Sequence, residues 1–222
     1  RRKSDHNHDG FIDNPIGNQI NLLNRWQYSN AEKGWVSFVN LNYMKDERQA
    51  GQMHYNPLTD KGTTNAWGSE VNSERFTLSN KTGYVFPDTP YKSIGLQNSF
   101  QSHRQDSYFG LNSYDIHQKS WYGNLIYNSI IDNTQHKFAT GLSGTYDDYN
   151  EQLTTSALTG DFSRIDRSVG AFFEYTYDNS SNFSFVAGVR ADSHNNLGNF
   201  ITPRFHLRYN PWKEATFRLS AG

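Results

Sequence analysis

The sequence of 222 residues contains no cysteine and no long hydrophobic segment. The missing cysteines exclude disulfide bonds and thiol chemistry. No run approaches the roughly 20 apolar residues that a spanning helix requires, and the mean hydropathy is -0.84, which excludes helical membrane spans. The formal net charge of -1 lacks the basic excess of general nucleic-acid-binding proteins, so we expect no nucleic-acid partner.

Catalytic signatures are also missing. The sequence has no GxSxG, HExxH, P-loop or GxGxxG motif, and its histidines show no metal-binding spacing such as HxxxH. His117 lies close to Asp115, but no matching acid–base partner accompanies this pair. We therefore expect that the protein is not an enzyme, and we assign no catalytic residue.

Aromatic residues are abundant where aliphatic residues are scarce. The hydrophobic fraction is 35%, yet Phe, Trp and Tyr make up 15% of the chain. An ordinary core would use more Leu, Ile and Val. A β-barrel with a wet interior needs little aliphatic core but many aromatic residues at the membrane interfaces. The composition therefore favours such a barrel.

Uncharged and charged positions alternate along the C-terminal half of the chain. Every second residue from Val169 to Tyr177, from Phe183 to Ala191 and from Ile201 to Tyr209 is uncharged. Strand side chains point to alternate faces, so the charges between these positions share the opposite face. A soluble sandwich buries its apolar face, whereas a membrane barrel turns it toward lipid and keeps a polar interior. With the composition, this pattern predicts an all-β, antiparallel transmembrane barrel segment of about ten strands.

The connections alternate in length along the chain. The predicted strands cover residues 19–29, 34–46, 71–83, 91–104, 116–131, 136–147, 166–178, 182–193, 200–209 and 215–222. Long connections are expected at 47–70, 105–115 and 148–165, and short ones lie between them, although the connection at 194–199 does not fit. Short turns on one rim and long loops on the other are typical of outer-membrane barrels, whose long loops are extracellular.

Aromatic residues cluster near both predicted rims. Such girdles lie at the two membrane interfaces of a barrel. The residues near short turns are Tyr28, Trp35, Tyr177, Phe183, Tyr209 and Phe217, and those toward the other rim are Tyr43, Trp121 and Tyr146. The alternative is aromatic packing inside a sandwich core, but the clustering coincides with the alternation of loop lengths.

The segment from Asp5 to Asp13 resembles the first nine positions of a calcium-binding loop. Oxygen donors occupy positions 1, 3 and 5, Gly10 permits the turn at position 6, and a carbonyl and a carboxylate follow at 7 and 9. The predicted ligands are Asp5, Asn7, Asp9, Phe11 (through its carbonyl) and Asp13, with calcium as a possible cofactor. Ile16 replaces the usual bidentate Glu at position 12, which predicts weak binding. The alternative is a solvated polar loop with a turn glycine.

Four arginines occupy the polar positions of the C-terminal strands, and a fifth, Arg25, lies further away; the four are Arg190, Arg204, Arg208 and Arg218. Arginine binds carboxylates and phosphates through two hydrogen bonds, so one interpretation is a path for an anionic ligand. The favoured interpretation is cross-strand ion pairing with Asp192 or Glu174, or contact with carboxylates of a plug.

Several segments resemble the barrel of TonB-dependent outer-membrane receptors of the Bacteroidetes lineage. They are DHNHDGFIDNPIGNQINLLNRWQY, GWVSFVNLNYMKDERQAGQ, NKTGYVFP, YKSIGLQNSF and ITPRFHLRYNPWKEATFRLSAG. The resemblance implies a barrel of about 22 strands closed by a plug. Residues 1–222 would then form a partial barrel, an interior fragment of a longer protein without its plug domain.

The resemblance also implies a function. We expect an active-transport receptor of the bacterial outer membrane that takes up a large, scarce nutrient, such as a ferric siderophore or cobalamin. Its partners would be outer-membrane lipid, the small-molecule or metal-chelate ligand, and the TonB complex through the missing plug segment. Ligand contacts are expected from residues 47–70 and 148–165, without individual residues being assigned. A soluble glycan-binding or adhesin domain and a ten-strand outer-membrane barrel enzyme remain as alternatives.

Overall fold

A computed structural model describes residues 3–222, which form an all-β structure. None of these residues belongs to a helix that is long and apolar enough to cross a membrane. The strands are β1 (Ile16–Asn30), β2 (Trp35–Gly51), β3 (Gly68–Val85), β4 (Ser93–Phe109), β5 (Asn112–Ile131), β6 (Asn133–Thr154), β7 (Thr159–Asp161), β8 (Arg164–Asp178), β9 (Phe183–His194), β10 (Gly198–Trp212) and β11 (Ala215–Ala221).

All strands belong to one antiparallel sheet in which neighbours in sequence are neighbours in space. The order is β1-β2-β3-β4-β5-β6-β8-β9-β10-β11, and the short β7 folds back to pair with β6. Within residues 3–222 the sheet does not close, because β1 and β11 each keep one open edge. The predicted fold class is confirmed: ten long strands form a partial barrel, and β7 is the one strand that was not predicted.

The strands are longer than predicted on the rim that carries the long connections. The predicted loop at 105–115 is wrong, because β4 and β5 are joined there by a tight turn at Gly110. The predicted loop at 148–165 is wrong in extent, since β6 continues to Thr154 and β8 begins at Arg164. The hairpins therefore extend as paired strands well beyond the predicted ends.

The strand register defines two faces of the sheet. Phe173, Val189 and Pro203 are cross-strand neighbours and lie on one face, which we call the outward face. Glu174, Gly188 and Arg204 lie on the other, which we call the inward face. Within residues 169–177, 183–191 and 201–209 the charged positions are all on the inward face, as the alternation predicted, whereas Arg167 of β8 lies on the outward face beyond these segments.

The outward face carries an uncharged band. In β2, β6, β8, β9 and β10 it covers about nine residues per strand, the length of a transmembrane β-strand. At about 3.3 Å per residue and a tilt of about 40°, such a segment spans about 23 Å, close to the apolar height of outer-membrane barrels. No Asp, Glu, Lys or Arg lies on the outward face within these segments: 35–43, 138–146, 169–177, 183–191 and 201–209.

Aromatic rows and charges mark the two limits of this band. Near the short turns, Trp35 packs on Tyr84 at 4.9 Å and Phe183 packs on Tyr209 at 6.5 Å between ring centroids. The register places every residue of the predicted girdles on the outward face. Beyond the other limit the outward face becomes charged, with the ion pairs Lys45–Glu47 at 2.8 Å and Arg104–Asp106 at 3.1 Å.

The buried apolar residues lie outside the uncharged band. The four buried hydrophobic residues among 3–222 lie at the rim with the long connections: Ile12, Tyr55, Ala66 and Tyr108. Tyr55 is 2% exposed, and its hydroxyl hydrogen-bonds to that of Tyr108. Residues 3–15 and the β2–β3 connection thus form a small packed unit, which we call the rim module.

Candidate functional site

The inward face holds two ion pairs at the height of the uncharged band. Arg190 contacts the carboxylate of Asp192 at 2.6 Å and donates to the Ser143 hydroxyl at 2.6 Å. Asp192 is 8% exposed and lies opposite Gly170, where a Cβ would come within 2.1 Å of the Asp192 carboxylate. Asp192 is therefore confirmed as the partner of Arg190, but the pair forms within β9 and not across strands as predicted, and Gly170 leaves the space that this pair needs.

Arg204 makes the second pair, with Glu174 across two strands. The other two predicted arginines behave differently. Arg208 and Arg218 are direct cross-strand partners on the inward face, and no ion pair joins either of them to another residue of 3–222. The predicted basic set therefore divides into two neutralised and two unneutralised side chains.

Above the band, the inward face of β5, β6 and β8 forms a polar and aromatic wall. Arg164 contacts Glu151 at 2.7 Å and Asp166 at 3.2 Å, and its guanidinium lies 4.1 Å from the ring centre of Tyr149. The Tyr114 hydroxyl donates to Glu151 at 3.2 Å. We call these five residues the upper wall. They lie on the inward face at the rim that carries the long connections.

A second polar group continues this wall toward the band. The carboxylate of Asp147 accepts hydrogen bonds from the Ser120 hydroxyl at 2.5 Å and from Gln118 at 3.4 Å. Sequence reasoning placed Tyr149 and Glu151 in a loop, and it did not assign Tyr114 or Gln118 to a site. The sequence of this part of β5 does not show which residues face inward, because Asp115, His117 and Lys119 lie on its outward face, so the register is needed to assign them.

The other predicted ligand-contact segment, residues 47–70, is organised differently. Tyr55 lies against Gly68, where a Cβ would come within 2.4 Å of its ring, and it bonds to Tyr108. Gly68 and Tyr108 belong to the outward face of β3 and β4. Burial raises the pKa of the Tyr55 phenol. This connection therefore packs its most buried side chain, Tyr55, on the outside of the barrel wall.

Three of the predicted calcium ligands meet in the rim module. The Asp9 amide donates to Asp5 at 3.2 Å and to Asn7 at 3.3 Å, and Asn7 contacts the Asp9 carboxylate at 2.9 Å. The Gly10 amide donates to Asp5 at 2.9 Å, with Gly10 at a φ of 84°. The side-chain oxygens at positions 1, 3 and 5 are thus brought together around the turn.

Asp13 and Phe11 are placed differently. The Asp13 carboxylate accepts a hydrogen bond from the His6 amide at 2.8 Å and contacts His6 Nδ1 at 2.7 Å, and these contacts lower the pKa of Asp13. Phe11 pairs with Gln52, and its ring lies 6.0 Å from that of Trp67. Among residues 3–222, no three His, Asp or Glu side chains form a metal-binding group.

Comparison with known proteins identifies the family. The family described as "TonB dependent receptor-like, beta-barrel" matches residues 2–222. A search of curated proteins gave no match.

One solved structure shares the fold. It is the alcaligin outer membrane receptor FauA from Bordetella pertussis, with a TM-score of 0.69 and 11% sequence identity. The similarity covers 89% of this chain and 34% of that one, so the chain spans about a third of the length of this relative. A sheet with an uncharged outward band, aromatic girdles and a polar inward face is the wall of a barrel in the bacterial outer membrane. The chain belongs to the TonB-dependent receptor-like β-barrel family.

Proposed function

We propose that this chain forms part of the wall of a receptor that takes up a large, scarce nutrient across the outer membrane by TonB-dependent transport. The observation that carries the proposal is the pairing of an uncharged outward band with a polar inward face in a sheet of ten long strands. Membership of the receptor family supports it. Transport would also require a plug and a contact with the TonB complex. The proposal includes no enzymatic activity.

The upper wall is the part of this chain that we propose to contact the ligand. Tyr114 and Tyr149 offer ring faces and hydroxyls, while Arg164 and Glu151 are already held by mutual contacts. Such a surface is pre-organised, so little side-chain entropy is lost on binding. A ferric siderophore or cobalamin remains the proposed substrate class, and the alcaligin receptor, which shares the fold, supports the siderophore.

Growth of a deletion strain tests this function. We expect a strain without the gene to lose growth under one of two conditions. Either it fails to grow with a ferric siderophore as its iron source, or it fails to grow when it depends on cobalamin uptake. The gene should restore growth, except in a strain without TonB. Tyr149→Ala should weaken uptake of the labelled nutrient, whereas Tyr146→Ala, on the outward face, should not. Undiminished uptake of both nutrients in the deletion strain would contradict the proposal.

We also propose that the segment from Asp5 to Asp13 binds calcium. The convergence of Asp5, Asn7 and Asp9 supports it, and Asp13 would have to leave His6 to join them. With Ile16 at the twelfth position, the dissociation constant should be about 10⁻⁴–10⁻³ M, as in extracellular calcium modules.

Calorimetry on the full-length receptor tests the calcium proposal. We expect calcium-dependent heat that disappears in Asp9→Ala and persists in His8→Ala, because His8 contributes no oxygen ligand. Bound calcium would order residues 3–15 against the β2–β3 connection. An absence of heat, or an unchanged signal in Asp9→Ala, would identify the segment as a polar turn.

A further inference from the structure

Two asparagines lie near the middle of the uncharged band on the outward face. Val39 is the central residue of the band segment 35–43, and the register places Asn80 opposite Val39 and Asn98 opposite Asn80. Both side chains therefore face outward at about the depth of the membrane midplane. A polar group without a partner is costly there, because lipid tails form no hydrogen bonds.

The asparagines are a local feature of the first strands of the sheet. In β8, β9 and β10, the outward positions of the band segments 169–177, 183–191 and 201–209 are apolar or aromatic, and none is Asn, Gln, Ser or Thr. A further outward asparagine, Asn24, lies on β1, whose other edge is open. The sheet thus presents two surfaces of different polarity to the same lipid.

The polar side chains of β2 and β3 satisfy one another, but Asn98 on β4 does not take part. The Ser37 and Thr82 hydroxyls are 2.9 Å apart, and Thr82 donates to the Asn80 amide oxygen at 3.2 Å. Asn80 in turn donates to the Phe38 carbonyl at 3.4 Å. Within residues 3–222, the partly exposed Asn98 amide makes no hydrogen bond. Its donors and its acceptor are therefore open to a group outside these residues.

The neighbours of Asn98 leave its amide unshielded. On the side away from Asn80, Gly123 lies opposite Asn98, and Gly144 lies opposite Gly123. The Trp121 ring occupies the space beside both glycines, since a Cβ would lie 2.5 Å from it at Gly123 and 3.2 Å at Gly144. Neither direct neighbour of Asn98 thus supplies an aliphatic side chain that would cover the amide. Small residues also let another protein surface approach closely in a membrane.

We propose that the outward face around Asn98 binds a second copy of this chain within the membrane. Receptors in one membrane share one orientation, so a second copy presents its own Asn98 at the same depth. An amide both donates and accepts, so two Asn98 side chains related by a twofold axis along the membrane normal satisfy each other. A partner with an apolar surface would leave the amide unpaired. The inference requires the outward face to meet lipid, but it is independent of the imported nutrient.

The surface around Asn98 is large enough for such a contact. Strands lie about 4.8 Å apart and rise about 3.3 Å per residue, so about nine residues on each of the strands β3–β6 cover about 570 Å². Two copies would together bury about 1,100 Å², which exceeds the roughly 1,000 Å² expected of a specific interface. The band on β8–β10 offers no such amide, so we assign the contact to β3–β6.

Distances between spin labels on two copies of the full-length receptor in liposomes test the contact. The labels are attached through Leu96→Cys, beside Asn98 on the outward face, or through Phe173→Cys on β8 as the matched control. Three strand spacings separate β4 from β8, so across a twofold axis the labels at 173 should be at least about 25 Å further apart than those at 96. A shorter distance at 173 than at 96 would overturn the inference.

An amide-free variant tests the role of Asn98 itself. Asn98→Leu should weaken association between labelled receptors by about tenfold or more, because a twofold contact loses two amide hydrogen bonds. Phe173→Leu should leave association unchanged, and both variants should keep the heat-shifted gel mobility of a folded barrel. Unchanged association in Asn98→Leu, or no association of the wild type, would overturn the inference. Nutrient uptake is measured separately, so failure of the proposed transport function leaves this result interpretable.

Discussion

Phe172 and Phe173 are neighbours in β8 that face different solvents. Phe173 belongs to the outward band and is the central residue of the segment from Val169 to Tyr177. Phe172 faces inward, where its ring lies within 2.6 Å of the space that a Cβ on Gly141 would fill. Two identical side chains, one residue apart, therefore offer a matched comparison of the two faces.

Replacing each phenylalanine by arginine should have unequal costs. Phe173→Arg places a charge near the membrane midplane and should destabilise the folded receptor by about 2–4 kcal/mol. Phe172→Arg loses packing but keeps its charge in the polar interior, so we expect its cost to be smaller by about 1 kcal/mol or more. Urea unfolding in lipid vesicles measures both. Equal costs, or a larger cost for Phe172→Arg, would show that the faces are assigned wrongly.

The residue types alone predicted part of the ion pairing on the inward face. Arg190 and Asp192 are two residues apart in one strand, so alternation puts them on one face and makes their pairing predictable. The small residue opposite them, Gly170, could not be assigned a role without the register. The unneutralised state of Arg208 and Arg218 also depends on the register, because it requires knowing that these two arginines oppose each other.

At the scale of elements, the ten long strands were predictable only within the membrane-height band. There, lipid on one side and the polar interior on the other impose strict alternation. Beyond the band both faces meet water, so Arg104 and Asp106 appear on the outward face and the alternation disappears. This explains why the sequence predicted a loop at residues 105–115, although most of these residues belong to paired strands. The three-residue β7 is too short to leave a periodic signal.

The rim module was not predictable, because its core depends on contacts between distant segments. Tyr55 and Tyr108 are 53 residues apart. Lys3 donates to the Met53 and Tyr55 carbonyls at 2.9 and 2.7 Å. The polar composition of the β2–β3 connection gave no sign that it contains the most buried side chain among residues 3–222.

A glycine in β3 tests this module. A Cβ at Gly68 would lie 2.4–2.5 Å from Tyr55 ring atoms, so Gly68→Ala should displace the ring at a cost of about 1–3 kcal/mol. Gly95→Ala in β4 is the control, because no atom lies within 4 Å of its Cβ position. Limited proteolysis of the intact receptor should cleave the β2–β3 connection faster in Gly68→Ala alone. Equal cleavage of both variants and the wild type would contradict the packing of Tyr55.

At the scale of the whole molecule, the family and the open sheet favour a receptor wall over the two alternatives. A soluble glycan-binding sandwich would turn its charged face outward and would have no aromatic rims. A ten-strand barrel enzyme would close on itself, whereas β1 and β11 are not paired with each other. The matched family is a receptor family, and it covers nearly all of the chain.

The open edges predict how the isolated chain should behave. Expressed alone and refolded into detergent, residues 1–222 should not give a compact monomer with heat-shifted gel mobility. The unpaired donors and acceptors along β1 and β11 cannot be satisfied in a membrane. The full-length receptor is the control and should show the shift. A heat-shifted monomer of the isolated chain would instead indicate a closed barrel of ten strands.

The central claim is that one face of this sheet meets lipid and the other lines the barrel interior. Spin labels placed singly at consecutive positions 169–177 of the full-length receptor in liposomes test it by their accessibility to oxygen and to a water-soluble nickel chelate. We expect oxygen accessibility to alternate with a period of two residues and to peak at Phe173, with Phe172 and Glu174 accessible mainly to the chelate. A flat profile, or an alternation in which Phe172 and Glu174 are the oxygen-accessible positions, would contradict the account.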